Sequence, residues 1–212
     1  MSLADTIKLG MAIPQAFIET PVDMNIVRNV CQRSEALGFD SLWTSSAVFG
    51  DSAVLEPLGL LSYAAGITST VRLGVSVLVF PLHSPVSIAK SFASLDQISN
   101  GRAILGLGLG NRTDPYAAFG LTPVKRVERF EAGIELMKSL WSQPTTDYRN
   151  NYFHLENARM EPKPLQHPRV PIWLGGGHSN VLRRAVTMAD GWMGAGASSN
   201  LSFKERVAHI RS

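Results

Sequence analysis

Hydrophobic positions along the chain follow two alternating rhythms. Short runs, of which 71–80 is apolar at nearly every residue, alternate with longer stretches in which apolar residues recur at three and four. The short runs are IKLGMAIP (7–14), FDSLWTSS (39–46), VRLGVSVLVF (71–80), RAILGLGLGNR (102–112), PIWLGGG (171–177) and DGWMGAG (190–196). Continuous apolar runs mark strands covered on both faces, as in parallel sheets. Between them the spacing predicts helices. Ile26, Val27, Val30, Cys31, Ser34 and Leu37 share one helical face, with Thr20 as N-cap, Pro21 at the first helical position and Gly38 closing the helix. A small apolar helix covers roughly 55–66, and a third opens at Ser84-Pro85 and ends near 99–101. The longest, about 123–141, presents Val127, Phe130, Ile134, Met137 and Trp141. Ser179 caps a fifth helix, and Ser202 with Glu205 forms a capping box for the last.

Residues 142–170 break the rhythm. The segment is polar, carries prolines and is too long for an ordinary connection, so it reads as an inserted hairpin or lid. Six strand–helix repeats without a low-complexity linker predict one parallel α/β domain over residues 1–212. A doubly wound sheet and a (β/α)₈ barrel both fit that order, although a barrel ordinarily takes eight units and ~250 residues.

Composition narrows the class. With 45% hydrophobic and 17% charged residues the chain folds rather than staying disordered. A net charge of +3 without a Lys/Arg run gives no case for nucleic acid. The single cysteine, Cys31, excludes an internal disulfide and fits a reducing cytoplasm. The start has no signal-peptide pattern, and no window approaches the ~18 apolar residues of a membrane span. A cytoplasmic protein without a membrane partner is expected.

Two glycine clusters carry candidate chemistry. Gly106, Gly108 and Gly110 stand two apart, and the third glycine of a G-x-G-x-x-G dinucleotide turn falls on Asn111. That argues against a nicotinamide-binding turn and for a buried strand whose inner positions leave room. GGGHSN (175–180) follows a strand and precedes a helix, so its N–H groups and the helix dipole suit an anion. Gly176 and Gly177 permit close approach, Ser179 offers a hydroxyl and His178 a proton-dependent charge. A plain turn with a serine cap accounts for the same residues.

The block PLHSPVSIAKSFASLDQISNGRAILGLGLGNR (81–112) followed by FGLTPVKRVERFEAGIELMKSLW (119–141) resembles the bacterial luciferase-like monooxygenase family. SEALGFDSLWTS (34–45), EPKPLQHPRVPIWLGGG (161–177) and ADGWMGAG (189–196) extend the likeness through most of the chain. The family unites flavin-dependent monooxygenases with deazaflavin-dependent oxidoreductases. The resemblance implies a (β/α)₈-type barrel, incomplete here at about six units, with FMN or coenzyme F420 at the carboxyl ends of the strands. It implies a small-molecule substrate and a homodimer. It places the cofactor phosphate near Gly176, Gly177, His178 and Ser179, and a non-prolyl cis peptide at Ser76-Val77 behind the central ring. Gly108, Gly110, Asn111 and Ser46 would complete the cofactor site.

The chain departs from the family at two points. Many deazaflavin-dependent relatives carry an Asp-His pair where this chain has Ser46-Ala47, and some carry a glutamate at Asn111. Neither replacement is a general acid or base near neutral pH. His83 is therefore the candidate catalytic residue, with His178 as a second imidazole. Arg112 suits an anionic ligand or an ion pair with Asp114. The expected activity is oxidoreductase or monooxygenase chemistry with reduced FMN or F420 on a small organic molecule; the alternative is a flavin-binding protein without turnover, or an inactive truncated form. Six units leave a barrel two strands short. An open curved sheet with an exposed edge near the sixth strand is expected, in a chain that self-associates or is marginally stable.

Overall fold

The computed structural model describes residues 7–18, 20–110, 114–194 and 199–211. In chain order its first half holds β1 (Gly10–Ala12), β2 (Ala16–Phe17), α1 (Met24–Ala36), β3 (Ser41–Thr44), β4 (Ala53–Val54), α2 (Pro57–Ile67), β5 (Arg72–Val75) and β6 (Leu78–Val79). A 3₁₀ turn (Phe80–Leu82) leads into α3 (Pro85–Ile98) and β7 (Ala103–Gly108), and a second 3₁₀ turn (Asp114–Phe119) into α4 (Arg126–Ser142). Then come β8 (Thr146–Arg149), β9 (His154–Ala158), β10 (Ile172–Gly175), α5 (Ser179–Met188), β11 (Gly191–Met193) and α6 (Asn200–Arg211).

The main sheet has the order β1-β3-β5-β7-β10-β11, with the short β6 also on β7, and all its pairings are parallel. It is a curled half-barrel. Among the described residues β1 and β11 each have one neighbour, so the sheet is open, as the unit count predicts. Its outer face carries Leu42, Leu73, Val75, Leu105, Leu107, Ile172 and Leu174, all buried against the helices. Burying such a side chain contributes about 1.5–3 kcal/mol, so this two-layer core dominates stability. The inner face is built differently. Trp43 lies across Gly10 and Gly74, and Trp173 across Gly191, so glycine supplies the space that each indole fills. The two indoles meet with centroids 5.5 Å apart.

Several boundaries differ from the sequence pattern. Helix α1 starts at Met24, because Oδ1 of Asp23 accepts the N–H of Asn25 at 2.9 Å and caps it. Thr20-Pro21 precedes the cap, and its peptide bond is cis. The buried face of α1 is narrower than the spacing implies: Val27, Cys31 and Ser34 are buried, whereas Ile26 and Leu37 are exposed. His178, not Ser179, is the N-cap of α5. For α6, Oγ of Ser199 accepts the N–H of Ser202, so Ser202 lies inside the helix rather than starting it.

The 71–80 run is two strands, β5 and β6, separated by Ser76-Val77. The bulge shifts the alternation by one residue. Gly74 faces inward, and after the bulge so do Val77 and Val79. The 142–170 insertion is a hairpin, β8 on β9. Tyr148 donates its hydroxyl to the carbonyl of Ala132 and Tyr152 to Glu128, which lays the hairpin along α4.

Candidate functional site

Parallel strands collect their outgoing loops at one end, and in barrels of this kind that carboxyl end holds the variable, chemistry-bearing residues. Three segments converge there: the bulge after β5, the end of β7, and the loop from β10 into α5. The Ser76-Val77 peptide bond is cis, at the position the resemblance implies. The N–H of Ser76 donates to the carbonyl of Thr44 at 2.7 Å, which ties the bulge to β3. Val77 then lies across two neighbouring strands. A Cβ on Gly108 would stand 2.6 Å from its Cγ2, and a Cβ on Gly175 2.6 Å from its Cγ1.

The alternating glycines therefore leave room for the chain's own bulge. Gly106 is closed off by the carbonyl of Val75 and the methyl of Met193, Gly108 by Val77 and Gly110 by Val79. Gly110 also has φ +69°, a left-handed conformation that favours glycine. Asn111 and Arg112 lie outside the described residues.

The turn from β10 to α5 is held rigidly. Gly176, at φ +140°, donates its N–H to the carbonyl of Met193 at 3.1 Å and accepts the indole N–H of Trp192 at 2.7 Å. The next three N–H groups, of Gly177, His178 and Ser179, have no hydrogen-bond partner among the described residues. They open a helix, where the dipole is positive. Nδ1 of His178 accepts the N–H of Asn180 at 3.2 Å, so in the neutral ring the proton sits on Nε2, free to donate. The Arg206 guanidinium closes the loop from above: a Cβ on Gly177 would lie 2.5 Å from its Cζ. Donors, dipole and a cation thus converge at this turn, where Gly177 leaves the space that the guanidinium fills. The residues fit a phosphate-bearing cofactor.

His83 follows the first 3₁₀ turn at the same end, its N–H bonded to the carbonyl of Phe80 at 2.9 Å. Its Nε2 is buried without a hydrogen-bond partner among the described residues. Burial of the ring holds His83 below the usual histidine range, opposed by the Glu56 carboxylate. It is therefore a neutral imidazole at neutral pH. Ser46, just beyond β3, is half-buried. Next to it, Gln15 bridges the loops, donating to the carbonyls of Ser45 and Leu55 and accepting the N–H of Ser45 at 2.7 Å. Gln15 follows directly on the first apolar run, a position that could have flagged it. Arg206 had no such signal, because only tertiary packing brings α6 over the loop. The same holds for Tyr116, buried with its hydroxyl unpartnered among the described residues.

The opposite end of the sheet holds an open space. A cavity of about 580 Å³ is lined by Asp40, Ser41, Trp43, Arg72, Ile104 and Trp173, all at the amino ends of strands. It lies away from the bulge and the glycine loop. Among the described residues no group of His, Cys, Asp and Glu could hold a metal ion, and no helix is long and apolar enough to cross a membrane.

The family model for luciferase-like monooxygenases matches residues 6–212. An F420-dependent glucose-6-phosphate dehydrogenase of Kineococcus radiotolerans is 34% identical over 169 residues, covering 76% of this chain and 49% of that protein. An FMNH(2)-dependent dimethylsulfone monooxygenase of Pseudomonas fluorescens is 25% identical over 209 residues, covering 96% of this chain and 56% of that one. The chain spans about half the length of these curated relatives. In fold it is similar to the crystal structure of the monooxygenase RslO1 from Streptomyces bottropensis, with a TM-score of 0.85 at 20% identity over 97% of this chain and 65% of the other.

Proposed function

Because the chain belongs to the luciferase-like monooxygenase family, we propose that it is an oxidoreductase that binds FMN or coenzyme F420 at the carboxyl ends of its strands and acts on a small organic molecule. The observation that carries this reading is the turn from β10 into α5, where three adjacent N–H groups and the Arg206 guanidinium converge on Gly177. When bound, the cofactor supplies the redox chemistry, and the protein supplies orientation and exclusion of water. Gly177, His178 and Ser179 would hold the phosphate by their N–H groups. Val77, seated on Gly108 and Gly175, would form a wall of the cofactor site. Ser76, Ser46 and Gly110 would border the same space.

His83 is the group that moves a proton at Nε2, since positions 46–47 carry neither carboxylate nor imidazole. Its neutral ring can accept a proton in one tautomer and donate one in the other. A cytoplasmic location accords with Cys31, whose thiol is buried and pushed up to about 11, and so remains reduced and unreactive.

A second reading, flavin binding without turnover, draws on those same two missing groups. Absorbance titration with FMN and with F420, followed by mass measurement of what stays bound, tests the cofactor. Saturable binding of one of them is expected, and no spectral change with either overturns the reading. Given binding, single-turnover loss of the reduced cofactor's absorbance with substrate separates an enzyme from a carrier.

A further inference from the structure

The cavity of about 580 Å³ at the amino ends of the strands takes no part in the cofactor site. Its size lies within the ~300–1,000 Å³ of small-molecule sites. Strand register sets its lining. Ser41 pairs with Arg72, and Trp43 with Gly74, which pairs in turn with Ile104, so these residues share the inner face in two successive layers. Leu42 and Leu73, between them, point into the helical core. Trp43 lies over Gly74 and meets Trp173 with centroids 5.5 Å apart. The cavity therefore has an aromatic end and, two residues back along β5, a cationic one. Two strand residues span about 6–7 Å, a length that a ring bearing one carboxylate bridges.

Arg72 is half-buried, and its guanidinium makes no hydrogen bond or ion pair among the described residues. Burial holds its pKa below the ordinary arginine range, opposed by the charge of Asp96. The carboxylates at this end are already engaged. Asp40 accepts the N–H of Leu9 at 2.8 Å and pairs with Lys8 at 3.1 Å. Glu35 accepts the N–H groups of Ser69, Thr70 and Val71. Asp96 accepts the backbone N–H and the side-chain amide of Gln166. A partly desolvated charge without a counter-ion is costly, so Arg72 calls for an anion from outside the chain. Its planar fork suits a carboxylate, which it can hold through two parallel hydrogen bonds.

We propose that this cavity binds an aromatic monocarboxylate, its ring laid against Trp43, Trp173 and Ile104 and its carboxylate paired with Arg72. One unpaired cation matches one negative charge, since Lys8 is already neutralised by Asp40. The two indoles favour an aromatic ring over an alkyl chain through stacked and edge contacts. The sheet is open at β1 and β11 among the described residues, so its inner face is reachable by a small molecule. The site stands at the opposite end of the sheet from the bulge and the glycine loop, and both ends can be filled at once.

Fluorine NMR titration of the full chain with 4-fluorobenzoate tests the proposal. Saturable binding is expected, at least tenfold weaker in Arg72→Gln and at least tenfold weaker for the uncharged 4-fluorobenzamide. Saturating FMN or F420 should leave it unchanged. Arg72 makes no bond that its loss would break, so the variant keeps the fold, which circular dichroism checks; the benzamide comparison needs no variant. Absence of saturable binding, equal affinity for the acid and the amide, equal affinity in a folded Arg72→Gln, or displacement by either cofactor overturns the proposal. Affinity that falls as protein concentration rises also overturns it, by showing that a second copy of the chain covers this face.

Discussion

Val77 and its glycine seats show how single residues set the site. A methyl group on Gly106 would strike the carbonyl oxygen of Val75, which cannot rotate away as a side chain can. Gly106→Ala should therefore cost about 3 kcal/mol, in the upper range for overpacking. Gly110→Ala meets only the movable Val79 side chain, and its left-handed backbone should cost about 1 kcal/mol. Urea unfolding of the two variants measures the difference; equal losses would mean that the bulge yields more than its packing implies. His83 gives a second residue-level test. Burial, only partly opposed by Glu56, holds its folded pKa below the ordinary value of 6.5. As pH falls below that value the unfolded chain takes up a proton that the folded ring resists, so stability drops until the folded pKa is passed. His83→Gln should flatten the stability profile between pH 7 and 5. An unchanged slope would place the titrating group elsewhere.

At the scale of elements, the helices were legible where their caps were local. Ser84-Pro85 does open α3, and Gly38, at φ +80°, does close α1. The start of α1 was not legible from Thr20-Pro21, because those residues belong to an excursion in which β2 pairs with β4. The 71–80 run reads as one strand, since nothing in its apolar pattern marks a bulge; the family likeness placed the break at Ser76-Val77, but the seating of Val77 on β7 and β10 needed coordinates. The loop at 175–180 stood out in the sequence as a candidate anion turn, beside a plain turn with a serine cap. Its cap and its guanidinium were not, because His178 rarely caps a helix and Arg206 comes from another element. Asp23→Ala should cost about 1 kcal/mol of stability without touching the site. Gly177→Val would press on the Arg206 guanidinium, so cofactor affinity should fall at least tenfold while the thermal midpoint changes little. Titration and melting of one sample measure both, and unchanged affinity in a folded variant removes this loop from the site.

For the whole molecule, the six-unit rhythm foretold a parallel sheet, the family likeness its barrel curvature, and the missing two units its open edges. Strands β1 and β11 each have one neighbour among the described residues, so backbone donors and acceptors face outward along both. Such edges template pairing with other chains. The 212-residue chain should therefore sediment as dimers or larger species at micromolar concentration, and a monomer across that range would show that its edges are covered some other way. The half-barrel also offers two ends to a ligand: the amino-end cavity of about 580 Å³ between Trp43 and Trp173, and the carboxyl end with Val77 and the glycine loop. The first offers a cavity, while unpaired N–H groups, a guanidinium and an orphaned imidazole favour the second. Hydrogen exchange of the chain with and without saturating FMN or F420 decides between them. Added protection should fall on the amides of 76–79 and 176–180, with those of 41–43 and 172–173 unchanged; protection confined to the amino-end residues would contradict the account.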